Sequence, residues 1–173
     1  MKPDVHRRLT ELSQTAGKEY GKLVQKLLAI AFLDAGAESL TERSTQGIDL
    51  EVTLHGKPIA LEVKTTETGS VSLGRKDLEG LAAREAEGAA AYVAALGGRL
   101  LDEWVFARFM KDELQPSRSY SVTQLRPYRD ADLERAVADA FSTAVLNHSA
   151  AAAAGGQGAL DEVLTRHPSY RSA

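Results

Sequence analysis

Along residues 47–64, GIDLEVTLHGKPIALEVK, apolar and polar positions alternate on both sides of a short polar interruption. Alternation of period two marks strands with one buried face, so this stretch predicts a β-hairpin. Ile48, Leu50, Val52 and Leu54 share one face of its first strand, and Asp49, Glu51, Thr53 and His55 the other. The return strand sends Ile59, Leu61 and Val63 one way and Ala60, Glu62 and Lys64 the other. The two apolar rows coincide only if the loop holds an even number of residues, since an odd loop would bury Lys64 beside Leu50. A Gly56-Lys57 turn would require Pro58 to donate the closing hydrogen bond, and proline has no N–H. The expectation is therefore a four-residue loop, His55 to Pro58, pairing Glu51 with Glu62 and Asp49 with Lys64.

Helical periodicity surrounds the hairpin. Residues 5–14 suit a short helix, and Gly17 separates it from KEYGKLVQKLLAIAFLDAG, where Tyr20, Leu23, Val24, Leu27, Ile30 and Ala31 form one stripe that ends at Gly36. Residues 37–43 read as a strand or approach loop. After TETGSVSLG comes a helix from 75 to about 87, and then AAAYVAALGG and EWVFARF as two strands. Ser121 and Gln124 match a capping box, Pro127 divides two short helical pieces, and a helix runs from about 130 to 147. SAAAAAGGQG reads as a linker and ALDEVLTRH as a short terminal helix. This order predicts an α/β fold, a central mixed sheet flanked by helices. The division is a single domain over 1–149, an Ala/Gly-rich linker at 150–158, and a short helix and tail at 159–173.

With 173 residues, 43% of them hydrophobic, the chain can bury one core. It has no cysteine, which excludes disulfides and thiolate metal sites. Its first residues lack a secretion signal and no apolar run reaches membrane-spanning length, so the expectation is a soluble, cytoplasmic protein with no membrane partner. The net charge of -3 argues against a general polycation. Residues 1–76 carry 11 Lys+Arg against 10 Asp+Glu, and residues 77–173 carry 10 against 14, so contacts with phosphates are expected on the first half.

The polar face of the hairpin carries the candidate chemistry. Asp49, Glu51 and Glu62 crowd three carboxylates beside Lys64, and such crowding is destabilising unless a cation neutralises it. Mg²⁺ suits the place because it takes carboxylate oxygens and keeps several waters, with Mn²⁺ able to replace it. Lys64 beside the ion would hold or deprotonate an attacking water, which reads as metal-assisted phosphodiester hydrolysis. The plain alternative is a solvated strand face whose Lys and Glu side chains pair with each other, at up to about 1 kcal/mol per pair.

GIDLEV followed by ALEVKTTE resembles the D…ExK signature of the PD-(D/E)xK nuclease superfamily, with Asp49, Glu62, Val63 and Lys64 as the matching positions and Ile48 where a proline is usual. The preceding helix and the following SVSLGRKDLEGLAAREAEGAAAYVAAL are similar in order to archaeal Holliday junction resolvases, over about residues 17–110. The resemblance implies a restriction-endonuclease-like αβββαβ core, divalent-metal dependence and commonly a homodimer acting on DNA. It implies Asp49 and Glu62 as carboxylate metal ligands, the Val63 carbonyl as a third ligand, and Lys64 as the catalytic lysine. Arg75 and Lys76 would match a basic pair on the DNA backbone. Resolvases of this kind carry a glutamate on the first helix, where this chain has Gln25 after Gly21; Glu19 is the fallback. Some superfamily members, including restriction enzymes of the Mrr type, use glutamine there.

Lys18, Lys22 and Lys26 line the polar side of that helix, either as a solvated face or as phosphate contacts. Arg43, Ser44 and Thr45 approach Asp49 and suit a phosphate contact or an ordinary loop. Trp104 and Phe106 read as core or an interface. The four histidines show no paired metal spacing, and the acidic second half is expected to face away from DNA or to mediate assembly. Three readings stay open: a Mg²⁺-dependent endonuclease on branched DNA such as four-way junctions, a restriction- or repair-type nuclease on linear or modified duplex, and a nuclease-fold binding module without turnover.

Overall fold

A computed structural model describes residues 1–42, 47–99, 103–110 and 113–171. Helices α1 (Pro3–Ala16) and α2 (Tyr20–Asp34) are joined by a 3-10 turn at Gly17–Glu19. Strands β1 (Ser39–Glu42), β2 (Leu50–Leu54), β3 (Lys57–Thr66) and β4 (Ser70–Ser72) follow, then helix α3 (Arg75–Ala86). Next come β5 (Ala90–Gly97), β6 (Trp104–Arg108), β7 (Ser119–Ser121), the short helix α4 (Val122–Leu125), a second 3-10 turn, α5 (Ala131–Thr165) and β8 (Tyr170–Arg171). Six strands form the main sheet in the order β6-β5-β3-β2-β1-β8, while β4 and β7 pair separately. The αβββαβ arrangement is present: β3 and β5 are parallel, joined by α3, and β2–β3 and β5–β6 are antiparallel. The sheet is mixed and has helices on both faces.

Two cores lie on the two sides of the sheet. Leu50, Val52, Leu54, Ile59, Leu61 and Val63 join α1, α2 and α5 in the larger one. Ala60, Val93 and Leu81 belong to the smaller core under α3. Trp104 and Phe106 stack at 5.8 Å between ring centroids within the larger core, as a buried pair should. Gly36 follows the end of α2 with φ of 95°, the left-handed stop that its place in the sequence predicts.

Loop parity in the hairpin is even, but the register is two residues away from the expected one. Leu54 pairs with Lys57, Val52 with Ile59 and Leu50 with Leu61. The turn is His55-Gly56, both at positive φ (51° and 72°), the combination of a type I′ turn. This puts Lys57, which has an N–H, at the closing position and leaves Pro58 free of that task. The Gly56 N–H donates to Glu38 at 3.1 Å. Ile48 also departs from the apolar row: it precedes β2 and enters the core under α3.

The segment 150–158, expected as a linker, is helical. Alanine is the strongest helix former, so the run continues α5 from Ala131, and its only non-helical φ/ψ is at Gly156 (φ 60°, ψ -147°). Beyond this kink Leu160 and Leu164 return to the larger core, so residues 159–165 are the end of α5. The capping box at Ser121 forms as the sequence predicts, with Gln124 N–H donating to Ser121 Oγ and Ser121 N–H to Gln124 Oε1. Among the described residues, no helix is long and apolar enough to cross a membrane.

Candidate active site

The corrected register brings together different partners from those the alternation predicts. The paired register of β2 and β3 ends at Leu50↔Leu61, and Asp49 stands just beyond it, bonded to Leu61 and Val63 and not set opposite Lys64. The Asp49 N–H donates to the Leu61 carbonyl and its Oδ2 accepts from the Val63 N–H, both at 2.9 Å. The aspartate is thus fixed to β3 by its backbone and its side chain. Glu51 lies across from Ala60 and pairs with Arg84 of α3 at 2.5 Å, so it braces the helix and stands apart from the Glu62 cluster.

Glycine sets the approach to Asp49. Gly47 has φ of 70°, and a Cβ there would lie 2.1 Å from the Lys76 carbonyl oxygen. The chain before β2 therefore passes directly against the first turn of α3, which no side chain allows. That first turn carries Asp77, whose Oδ2 accepts from the Gly74 N–H at 2.9 Å and from Lys64 Nζ at 2.8 Å.

Lys64 lies between two carboxylates, 2.6 Å from Glu62 Oε1 and 2.8 Å from Asp77 Oδ2. Burial acts to lower its pKa, but bonds to Asp77 and Glu62 outweigh that and hold the ammonium protonated. Glu62 is buried, and its carboxyl is raised to about 7, first by desolvation and then by the charge of Asp49, against the relief from Lys64. On the other side Lys22 Nζ reaches Gln25 Oε1 at 2.8 Å and Asp49 Oδ1 at 3.0 Å. Gln25 is buried and linked to Asp49 through that ammonium, whereas Glu19 points elsewhere: its Oε2 lies 3.6 Å from where a Gly156 Cβ would be.

Asp49, Glu62, Lys64 and Gln25 thus share one site, with Val63 supplying backbone to it. Arg75 and Lys76 are exposed at the start of α3, next to Asp77, as are Lys18 in the Gly17–Glu19 turn and Lys22 in the first turn of α2. Lys26 departs from that row. It is buried and held at 2.6 Å by both Glu42 and Asp161, a contact between α2, β1 and α5 that takes it out of reach of phosphates. Arg43, Ser44 and Thr45 lie outside the described residues. Asp77 is the member that the sequence reading missed; its signal was an acidic residue three after Gly74, in the place of a capping box.

Oxygen donors here suit a hard cation. Glu62 is raised to about 7 by burial and by the charge of Asp49, and a dication between the two carboxylates would offset that repulsion. Among the described residues no group of three His, Cys, Asp or Glu converges. The protein would therefore offer two carboxylates and the Val63 carbonyl, leaving other positions to water, as Mg²⁺ prefers.

No family model matches the chain, and no curated protein does. Among solved structures, it is similar in fold to Hjc, a Holliday junction resolvase from the archaeal hyperthermophile Archaeoglobus fulgidus. The TM-score is 0.51 at 19% identity, covering 66% of this chain and 95% of that one.

Proposed function

We propose that the chain is a metal-dependent endodeoxyribonuclease that hydrolyses phosphodiester bonds in branched DNA. The observation that carries this reading is the set of ion pairs around Asp49, Glu62 and Lys64: Lys64 with Glu62 at 2.6 Å and Asp77 at 2.8 Å, and Lys22 with Asp49 at 3.0 Å. The resolvase-like fold supports it. Asp49, Glu62 and the Val63 carbonyl would hold Mg²⁺ or Mn²⁺. When bound, the metal would lower the pKa of an attacking water and supply charge for the phosphoryl oxygens.

The residues have separable tasks. Asp49 is pre-aligned by the Val63 N–H, so little ordering remains to be done when a ligand arrives. Lys64, kept protonated by Asp77 and Glu62, presents N–H donors to a developing oxyanion or to the attacking water. Lys22 and Gln25 hold the helix side of Asp49, and Lys18, Arg75 and Lys76 offer exposed cations to the flanking phosphates. The purified protein with Mg²⁺ is expected to nick four-way junctions, as a homodimer in the manner of the resembled family. Asp49→Ala and Lys64→Ala should each abolish nicking, and cleavage that survives both substitutions would remove this mechanism.

Gln25 supports a second reading. A neutral amide stands where the resembled resolvases have a carboxylate, which leaves the site one negative charge poorer. A restriction- or repair-type nuclease acting on linear or modified duplex accommodates this. A screen over junction, flap, single-stranded, linear and methylated substrates separates the two. Strong preference for linear duplex would overturn the junction reading.

A further inference from the structure

Beside the Asp49 site lies a cavity of about 640 Å³, open on one side. Its floor is the carboxyl ends of β3 and β5, at Thr65–Glu67 and Leu96–Gly98, and its far wall is α1 with the turn at Gly17–Glu19. Crevices outside the carboxyl ends of parallel strands are where α/β sheets present ligands. Asp49, Glu62, Lys64 and Gln25 do not line the cavity, which meets their site through chain neighbours. Thr65, next to Lys64, lies on the floor, and its Oγ1 is 3.5 Å from the position of a Gly21 Cβ, one helical turn before Gln25.

The lining is mixed in a particular way. Leu9, Leu96 and the ring of Tyr20 offer apolar surface, Gln14 an amide, Glu67 a carboxylate, and Lys18 an exposed ammonium at the rim. Tyr20 keeps its hydroxyl proton, because burial and the charge of Glu67 raise it to about 12. A flat π-face, an acceptor for base N–H groups, an amide and an exposed cation match one nucleotide: base, edge and phosphate. The volume falls in the range that takes a small organic ligand. A base stacked in a duplex cannot enter such a recess, whereas an unpaired one can.

We infer that this cavity receives an unpaired nucleotide adjacent to the scissile phosphate, so that the chain selects DNA that is open or branched at the point of cleavage. The inference rests on the nuclease reading and names the substrate class of the same site.

The test uses the Asp49→Ala protein, which binds without cutting, and branched DNA carrying a fluorescent aminopurine at successive positions around the branch. A change of several-fold in fluorescence on binding is expected at one or two positions next to the cut mapped with wild-type protein. In parallel, Gln14→Trp, an exposed position on α1, fills the cavity. It should reduce the ratio of junction to duplex affinity about tenfold. Should Gln14→Trp fail to fold, the fluorescence scan decides alone. If wild-type protein nicks branched DNA but the reporter is silent at every position, or Gln14→Trp folds and leaves the ratio unchanged, the cavity proposal is overturned and the nuclease reading stands. If wild-type protein cuts nothing and Asp49→Ala binds no DNA, both fall.

Discussion

Two lysines, one on each side of the sheet, are held by the same kind of partners and are put to different use. Lys26 on α2 binds Glu42 of β1 and Asp161 of α5; Lys64 on β3 binds Glu62 of the same strand and Asp77 of α3. In the Lys26 cluster one carboxylate remains wet, because the Asp161 side chain is 46% exposed and water screens its charge. On the other side the acids are sheltered: the side chains of Glu62 and Asp77, which bind Lys64, and of Asp49, which binds Lys22, are 6%, 21% and 14% exposed. Burial raises the Glu62 carboxyl to about 7, and the charge of Asp49 adds to the rise. The first cluster is a clamp between three elements. The second has a surplus of charge that a cation would satisfy.

The largest expected difference is catalytic. Lys64→Met should slow nicking by about 10³-fold or more at temperatures where the variant remains folded. Lys26→Met should keep the rate below its melting point but lose about 3 kcal/mol of stability, measured by urea unfolding. Equal loss of nicking rate in the two folded variants would erase the distinction. The site side is also braced by backbone, and Gly47→Ala, which forces a Cβ against the Lys76 carbonyl, should cost about 3 kcal/mol. Its signature is a fall in nicking rate at temperatures where the protein is still folded.

Metal binding sharpens the contrast further. At about a hundred times its dissociation constant, Mg²⁺ should stabilise wild-type and Lys26→Met protein by about 2.7 kcal/mol and Asp49→Ala by much less. The smallest effect is that of pH. Glu62 carries a folded pKa of about 7, above its ordinary value of 4.5, so between these values the folded state holds more protons than the unfolded one. Stability contributed by this group is complete below its unfolded pKa and is lost as pH rises through the folded pKa, by at most about 1.4 kcal/mol per pH unit. Glu62→Gln should flatten that slope, and saturating Mg²⁺ should flatten it in wild type; an equal slope in Glu62→Gln would assign it to another group.

What the sequence made legible was what periodicity and spacing determine. The stripe on α2, the helix from Arg75, the capping box at Ser121 and the even parity of the hairpin are all visible in single-residue patterns. The register was not, because it depends on His55, a non-glycine residue, accepting left-handed φ, and alternation carries no trace of that. A shift of two residues preserves the faces of the paired positions from Leu50 to Leu54, yet it sets Glu51 across from Ala60 and leaves Asp49 beyond the register. The part of α5 at 150–158 was hidden by low complexity: alanine is helix-forming, but a run of it has no polar face from which to read a stripe. β4, β7 and β8, of three, three and two residues, are too short for any periodicity. Gly47 is plain in the sequence, but its need arises from a neighbour 29 positions away, Lys76.

The parallel pairing of Tyr170–Arg171 with Leu40–Thr41, reinforced by the Leu40 N–H bonding to the Ser169 carbonyl, has a consequence for the order of folding. β1 is the border of the antiparallel part of the sheet, and its outer N–H and C=O groups stay open until residues roughly 130 positions later are synthesised and delivered by α5. A ribosome adding 5–20 residues per second leaves that border bare for about 6 to 26 seconds. During that interval the nascent sheet offers another chain a template for pairing, and docking of α5 on α2 is the event that withdraws it.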